Sequence, residues 1–373
     1  MADILFVTWD GGGNVPPALG IARELQVRGH HVRFLGHTAQ LDALAGAGME
    51  TVRPRHARDF DNRHDYSPLA IMATFGDRGM GRDLVDTVAR RPADLVVVDS
   101  LMMGAVRAAA DAGLHYAVLE HAYDSMYRRS ILGGPMGLNL RLRRLRPTEA
   151  LDRAAARILT TIPTLDPTAG LAANIRQVGP VVDFAPRRTS DRPTVLVSLS
   201  TFAFPRMARS FQAILDATRG LDARVVATTG PAVEPTELRV PDGVEIHRFV
   251  PHVELMPEAH VLVGHGGHGT TMQALAHDLP VLVMPMDRMT DQPAVGRSLV
   301  DAGAGRVVRK GASADRIAPL IAELVADGPH RPAAARLGAE VRSLPGARLG
   351  ADVVEELLVR DGAAAPGRPS ARP

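Results

Sequence analysis

Cysteine is absent from the 373-residue sequence, which excludes disulfides, thiolate metal sites and a cysteine nucleophile. Lysine occurs once, at Lys310, and tyrosine four times, so almost nothing titrates between neutrality and the arginine range. The sequence pI near 9.4 therefore reflects a net charge of only +2 with little to buffer it. No basic surface follows, and no nucleic-acid partner is expected. No apolar run reaches the roughly 20 residues of a membrane-spanning helix. The start, MADILFVTWDGGGN, has no basic flank followed by an apolar core and a cleavage site. The expectation is a soluble, cytoplasmic chain with no integral membrane segment.

What is present is a 46% apolar, 23% charged composition and a length that accommodates two domains. Short β-branched runs alternate with helical patterns, the signature of parallel βαβ units. Strands are expected at 4–9, 31–36, 94–99, 116–120 and 157–162, and again at 194–200, 223–229, 244–249, 260–265 and 280–286. Leu19, Ala22, Leu25 and Gln26 set a helical stripe between the first two strands. The stretch GPVVDFAPRRTSDRPT (179–194) has a linker composition. The expected organisation is an α/β domain over 1–182, a linker over 183–193, a second α/β domain over 194–345, a helix over 346–360 packing back on the first domain, and a disordered tail over 361–373. Both are doubly wound parallel-sheet domains facing each other across a cleft. In such sheets ligands bind at the carboxyl ends of the strands.

Two loops lie at expected strand ends, one per half: WDGGGNVPP and GHGGHGTT. The second admits three readings. A metal would use His265 and His268 but lacks further ligands at matching spacing. A dinucleotide would use Gly264-x-Gly266-x-x-Gly269, a motif that normally opens its domain rather than following a fourth strand. A phosphate asks least. Gly266, Gly267 and Gly269 let a ligand approach the backbone, and the helix beginning near Thr270 presents amides and a partial positive charge. His265 and Thr270 add side-chain donors.

Beyond that loop, HGGHGTTMQALAHDLPVLVMP…DQPAVGRSLVDAGAG resembles the donor-binding stretch of the GT-B glycosyltransferases. The resemblance is to the family-1 group that includes the bacterial macrolide and other natural-product enzymes. ILFVTWDGGGNVPPALGIARELQVRGHHV, DLVVVDS, TIPTLDP, VGPVVD, VLVSLST and FVPHVELMP follow in the family's order, covering residues 3–358. The resemblance implies two Rossmann-like domains and an inverting, metal-independent transfer of a (deoxy)hexose from a nucleoside diphosphate to a small apolar aglycone, by an enzyme active as a monomer or homodimer. It implies that His265, Gly266, Gly267, Gly269 and Thr270 hold the donor's diphosphate. Gly13 would contribute to the donor site, and Ser200 and Thr201, ending the first strand of the second domain, would help from the opposite side of the diphosphate. Val250 would lie against the base, and Asp291 and Gln292 would bond the sugar. Gln273 stands where many uridine-diphosphate users carry a glutamate that accepts both ribose hydroxyls. An amide is the weaker acceptor and suits a thymidine-diphosphate donor.

The family also places a histidine in the first loop, backed by an aspartate, as the base that deprotonates the acceptor. Asn14 occupies that position here, and Asp99 matches the aspartate. Asp99 itself is the first choice as base; the alternatives are Asp10 or His121 as a substitute, or an acceptor that needs little help, as in attack by an activated aromatic carbon. Acceptor contacts are expected from 54–80 and 121–147, with His121 and the methionines Met72, Met80, Met102, Met103 and Met126 as an apolar wall. Two other readings stand beside this one: a lipid or cell-envelope acceptor, prompted by the arginines of RLRRLR (141–146), and a catalytically silent nucleotide-sugar-binding protein, prompted by Asn14.

Overall fold

The computed structural model describes residues 1–61, 67–168, 172–188 and 192–364. Among the described residues thirteen strands form two parallel sheets. The first holds β1 (Asp3–Val7), β2 (His31–Leu35), β3 (Glu50–Val52), β4 (Leu95–Asp99), β5 (Tyr116–Glu120), β6 (Ala156–Leu159) and β7 (Ile175–Gln177), in the order β3-β2-β1-β4-β5-β6-β7. The second holds β8 (Thr194–Ser198), β9 (Arg224–Thr228), β10 (Val244–His247), β11 (Val261–Gly264), β12 (Val281–Val283) and β13 (Gly305–Val307), ordered β10-β9-β8-β11-β12-β13.

Burial explains why these runs are strands. Residues of β4, β5 and β8 are buried throughout, as expected where helices cover both faces of a sheet. Alternation sends Leu5, Val7, Val96 and Val98 into the core on one side and Ile4, Phe6, Leu95 and Val97 into the core on the other. Eight of the ten expected strands run one to three residues past the observed ends, because the apolar runs continue into buried loop residues such as Trp9, Leu199 and Met286. Strands β3, β7 and β13, each three residues long, carry no apolar run and escaped the pattern.

The helix Val15–Val27 buries Ala18, Ile21, Ala22 and Leu25. That is an i, i+3, i+4, i+7 stripe centred one residue before the expected one, leaving Leu19 and Gln26 at its margin. The helix Gly346–Ala364 returns to the first sheet: Ala351, Val354 and Leu357 join the cluster containing Ile4 and Phe6. Its crossing with the 15–27 helix is close, since a Cβ on Gly350 would lie 2.6 Å from Ile21 Cδ1. Arg28 clamps the pair through Asp352 and Glu355, both at 2.7 Å. This helix covers 361–364, which the sequence assigned to the tail; 365–373 lie outside the described residues. In RLRRLR the helix Gly134–Leu142 ends before Arg143, and Arg144 and Arg146 take positive φ in the connecting turn. Among the described residues no helix is long and apolar enough to cross a membrane.

Candidate active site

Strand order reverses between β1 and β4 in the first sheet and between β8 and β11 in the second. These are the switch points where loops diverge and leave a crevice. The first gathers Asn14 after β1, Asp99 at the end of β4 and His121 after β5. The second gathers Ser200 after β8 and 264–270 after β11.

Gly266 has φ +82°, and a Cβ there would approach Val283 Cγ1 to 2.6 Å and Gln292 O to 3.1 Å. Only glycine fits that turn. His265 folds back over Gly267, where a Cβ would sit 2.5 Å from its Nε2. The helix runs His268–Ala276 with Gly267 as N-cap, so it starts two residues before the expected Thr270; glycine is tolerated in a first turn that leans on no preceding one. The amides of His268, Gly269 and Thr270 therefore have no intrahelical acceptor, and nothing lies within 4 Å of a Cβ on Gly269. That side is open. Gln273 is half-buried one turn further along the same face.

Burial pushes the His265 imidazole down to about 4, with His252 adding repulsion, and pushes His268 down to about 3. Both rings are neutral near pH 7. His268 packs edge-on against Tyr123, 5.7 Å away at 80°, and its Nε2 is buried without a partner. Among the described residues no three His, Asp or Glu side chains converge as a metal site needs. His252, whose Nε2 meets Ser198 Oγ at 3.0 Å, backs this cradle and was not singled out from the sequence. Its only signal was its place in FVPH.

Ser200 Oγ accepts from Phe202 N at 3.0 Å and Thr201 is exposed. Val250 is half-buried. Asp291 caps the helix Gln292–Asp301 without a side-chain cap bond, and burial lifts its carboxyl to about 7. Gln292 is buried, and its Oε1 accepts from Met286 N at 2.6 Å and Asp287 N at 3.2 Å. Its carbonyl thus holds its own loop, leaving the amide NH₂ for a ligand.

Across the crevice, Asn14 is 1% exposed. Its Nδ2 donates to Asp99 Oδ2 at 2.8 Å, to Thr8 Oγ1 at 3.0 Å and to Trp9 O at 3.1 Å. Asn14 N-caps the 15–27 helix without a side-chain cap bond; its amide serves Asp99 instead. Asp99 also accepts from Leu101 N at 2.9 Å, and His121 Nδ1 stands 3.5 Å from its Oδ2. Burial raises the Asp99 carboxyl, against the pull of His121, Leu101 and Asn14. Asp10 is half-buried and Gly13 exposed in the same loop.

The segment carrying His121 is pinned from beneath. Glu120 and Asp124, both buried, share Arg157 at 2.5 and 2.9 Å, and Asp124 N donates to Asp166 at 2.8 Å. Tyr123 and Met126 pack with second-domain residues such as Met272 and Val295, and Tyr123 Oη reaches Ser298 Oγ at 3.2 Å. The methionine wall needs correction. Met102 is 1% exposed in the first-domain core, as are Met103 (1%) and Met80 (0%), and Met126 is 8% exposed; only Met72 is half-buried at the margin of that core. Apolar side chains following βα turns pack under the helices rather than into the crevice. Within 54–80, residues 62–66 lie outside the described set.

Known proteins resemble this chain in sequence and in fold. Residues 212–358 match the family described as erythromycin biosynthesis protein CIII-like, C-terminal domain. The 4'-demethylrebeccamycin synthase of Lentzea aerocolonigenes is 28% identical over 96% of this chain and 100% of its own length. The demethyllactenocin mycarosyltransferase of Streptomyces fradiae is 25% identical over 96% of this chain and 87% of its own. Among solved structures, the calicheamicin glycosyltransferase superposes with a TM-score of 0.79, at 22% identity and covering 96% and 99% of the two chains. The chain is a glycosyltransferase of the GT-B fold, and the relatives and structures it resembles are natural-product glycosyltransferases.

Proposed function

We propose that the chain transfers a deoxysugar, with inversion and without a metal, from a thymidine diphosphate donor to a small apolar aglycone such as an aromatic polyketide. The observation that carries this reading is the open helix start at His268–Thr270. Three unpaired amides, the helix dipole and the neutral donors His265 and Thr270 suit a leaving diphosphate. Gln273 supports thymidine over uridine: its amide is the poorer acceptor for a ribose 2′-hydroxyl, so less is lost when that hydroxyl is missing.

The test is titration with both nucleoside diphosphates. The wild type should bind thymidine diphosphate about fivefold or more tightly than uridine diphosphate, and Gln273→Glu should narrow or invert the ratio. Equal affinities in both proteins would contradict the donor assignment.

A further inference from the structure

The base that Asn14 cannot be is still needed, and the crevice narrows the choice. Asp99 is 4% exposed; one carboxylate oxygen is taken by Leu101 N and the other by the Asn14 amide. It is buried, and each of its oxygens already accepts a hydrogen bond. His121 differs. Its side chain is 12% exposed, and Nδ1 faces Asp99 Oδ2 at 3.5 Å. That nitrogen is itself buried and has no hydrogen-bond partner among the described residues. Catalytic hydrogen bonds in unliganded sites are often long and tighten with substrate. A Nδ1–H aimed at a carboxylate fixes the tautomer and leaves the Nε2 lone pair free. The ring also lies near enough to His268, at the start of the cradle helix, for a charge on one to disfavour a charge on the other. It therefore stands between the two halves of the crevice.

Resting on the donor reading above, we propose that His121 is the general base, that Asp99 orients it, and that Asn14 holds Asp99. The base has moved from the first loop to the end of β5, while the aspartate has stayed. In the step, Nε2 takes the acceptor's hydroxyl proton as that oxygen forms its bond to the anomeric carbon. The bond from that carbon to the diphosphate oxygen breaks, and its electron pair leaves with the diphosphate. The imidazolium is stabilised by Asp99 and then yields its proton to water. The Glu120–Arg157–Asp124 network and the packing of Tyr123 keep the ring in place.

The test compares wild type with His121→Ala and His121→Gln. With a hydroxyl acceptor, both variants should lose roughly 100-fold or more in kcat, while thymidine diphosphate affinity changes less than threefold. Exogenous imidazole should restore part of the His121→Ala activity, and a strongly acidic phenol acceptor should shrink the loss to under tenfold. Asp99→Asn should lower kcat through the wrong tautomer and should not respond to imidazole. Turnover within threefold of wild type in both His121 variants, or a loss that neither imidazole nor acceptor acidity alters, would overturn the assignment. A wild type that binds no thymidine diphosphate would instead sink the donor reading.

Discussion

Asp291 sits in an environment at odds with its charge. Burial lifts its carboxyl to about 7, and only its own backbone amide pulls it back. A folded pKa above the unfolded one favours the fold at low pH, and that contribution disappears as pH rises through about 7. Asp291→Asn has no charge to bury, so it should raise Tm at pH 8 by roughly 2–5 °C and by less at pH 5. Equal gains at both pH values, read by calorimetry, would show that the carboxyl is not strained. The same residue scale shows where a sequence stops being informative. Asp99 and Asn14 were legible from the order of local motifs. That Asn14 points its amide at Asp99, or that Gln292 spends its carbonyl on Met286 and Asp287, depends on neighbours distant in sequence or on side-chain orientation.

Among the elements, long buried strands announce themselves through β-branched runs, whereas β3 (Glu-Thr-Val), β7 (Ile-Arg-Gln) and β13 (Gly-Arg-Val) are edge or near-edge pieces with no such run. Their strand state comes from the neighbour they pair with. The cradle helix started earlier than the sequence indicated for a related reason. A Gly-rich stretch reads as loop, yet Gly267 caps the helix and Gly269 lies within its first turn. Gly266 is the one whose backbone demands glycine. Gly266→Ala must adopt φ +82° and press Cβ against Val283 and the Gln292 carbonyl, so its Tm should fall by about 5 °C or more. Gly269→Ala, with open space around it, should stay within about 1 °C. A Gly266→Ala melting point equal to that of wild type would mean the turn is not held as described.

At the scale of the molecule, two sheets turn their switch points toward a shared crevice. The Gly346–Ala364 helix closes over the first sheet, and Tyr123 and Met126 of the first domain embed in the core of the second. The two-domain plan followed from alternating strand and helix patterns. How the domains meet did not, because Tyr123 against His268 and Arg28 against Asp352 are pairings of residues far apart in the chain. The proposed function requires the second-domain loop to grip a diphosphate through its amides, and the space beside Gly269 leaves them open to it. Calorimetric titration of thymidine diphosphate into wild type and Gly269→Val reads this directly. One site with roughly micromolar affinity is expected in the wild type, weakened at least about tenfold in the variant at an unchanged melting temperature. Equal binding by the two proteins would contradict it.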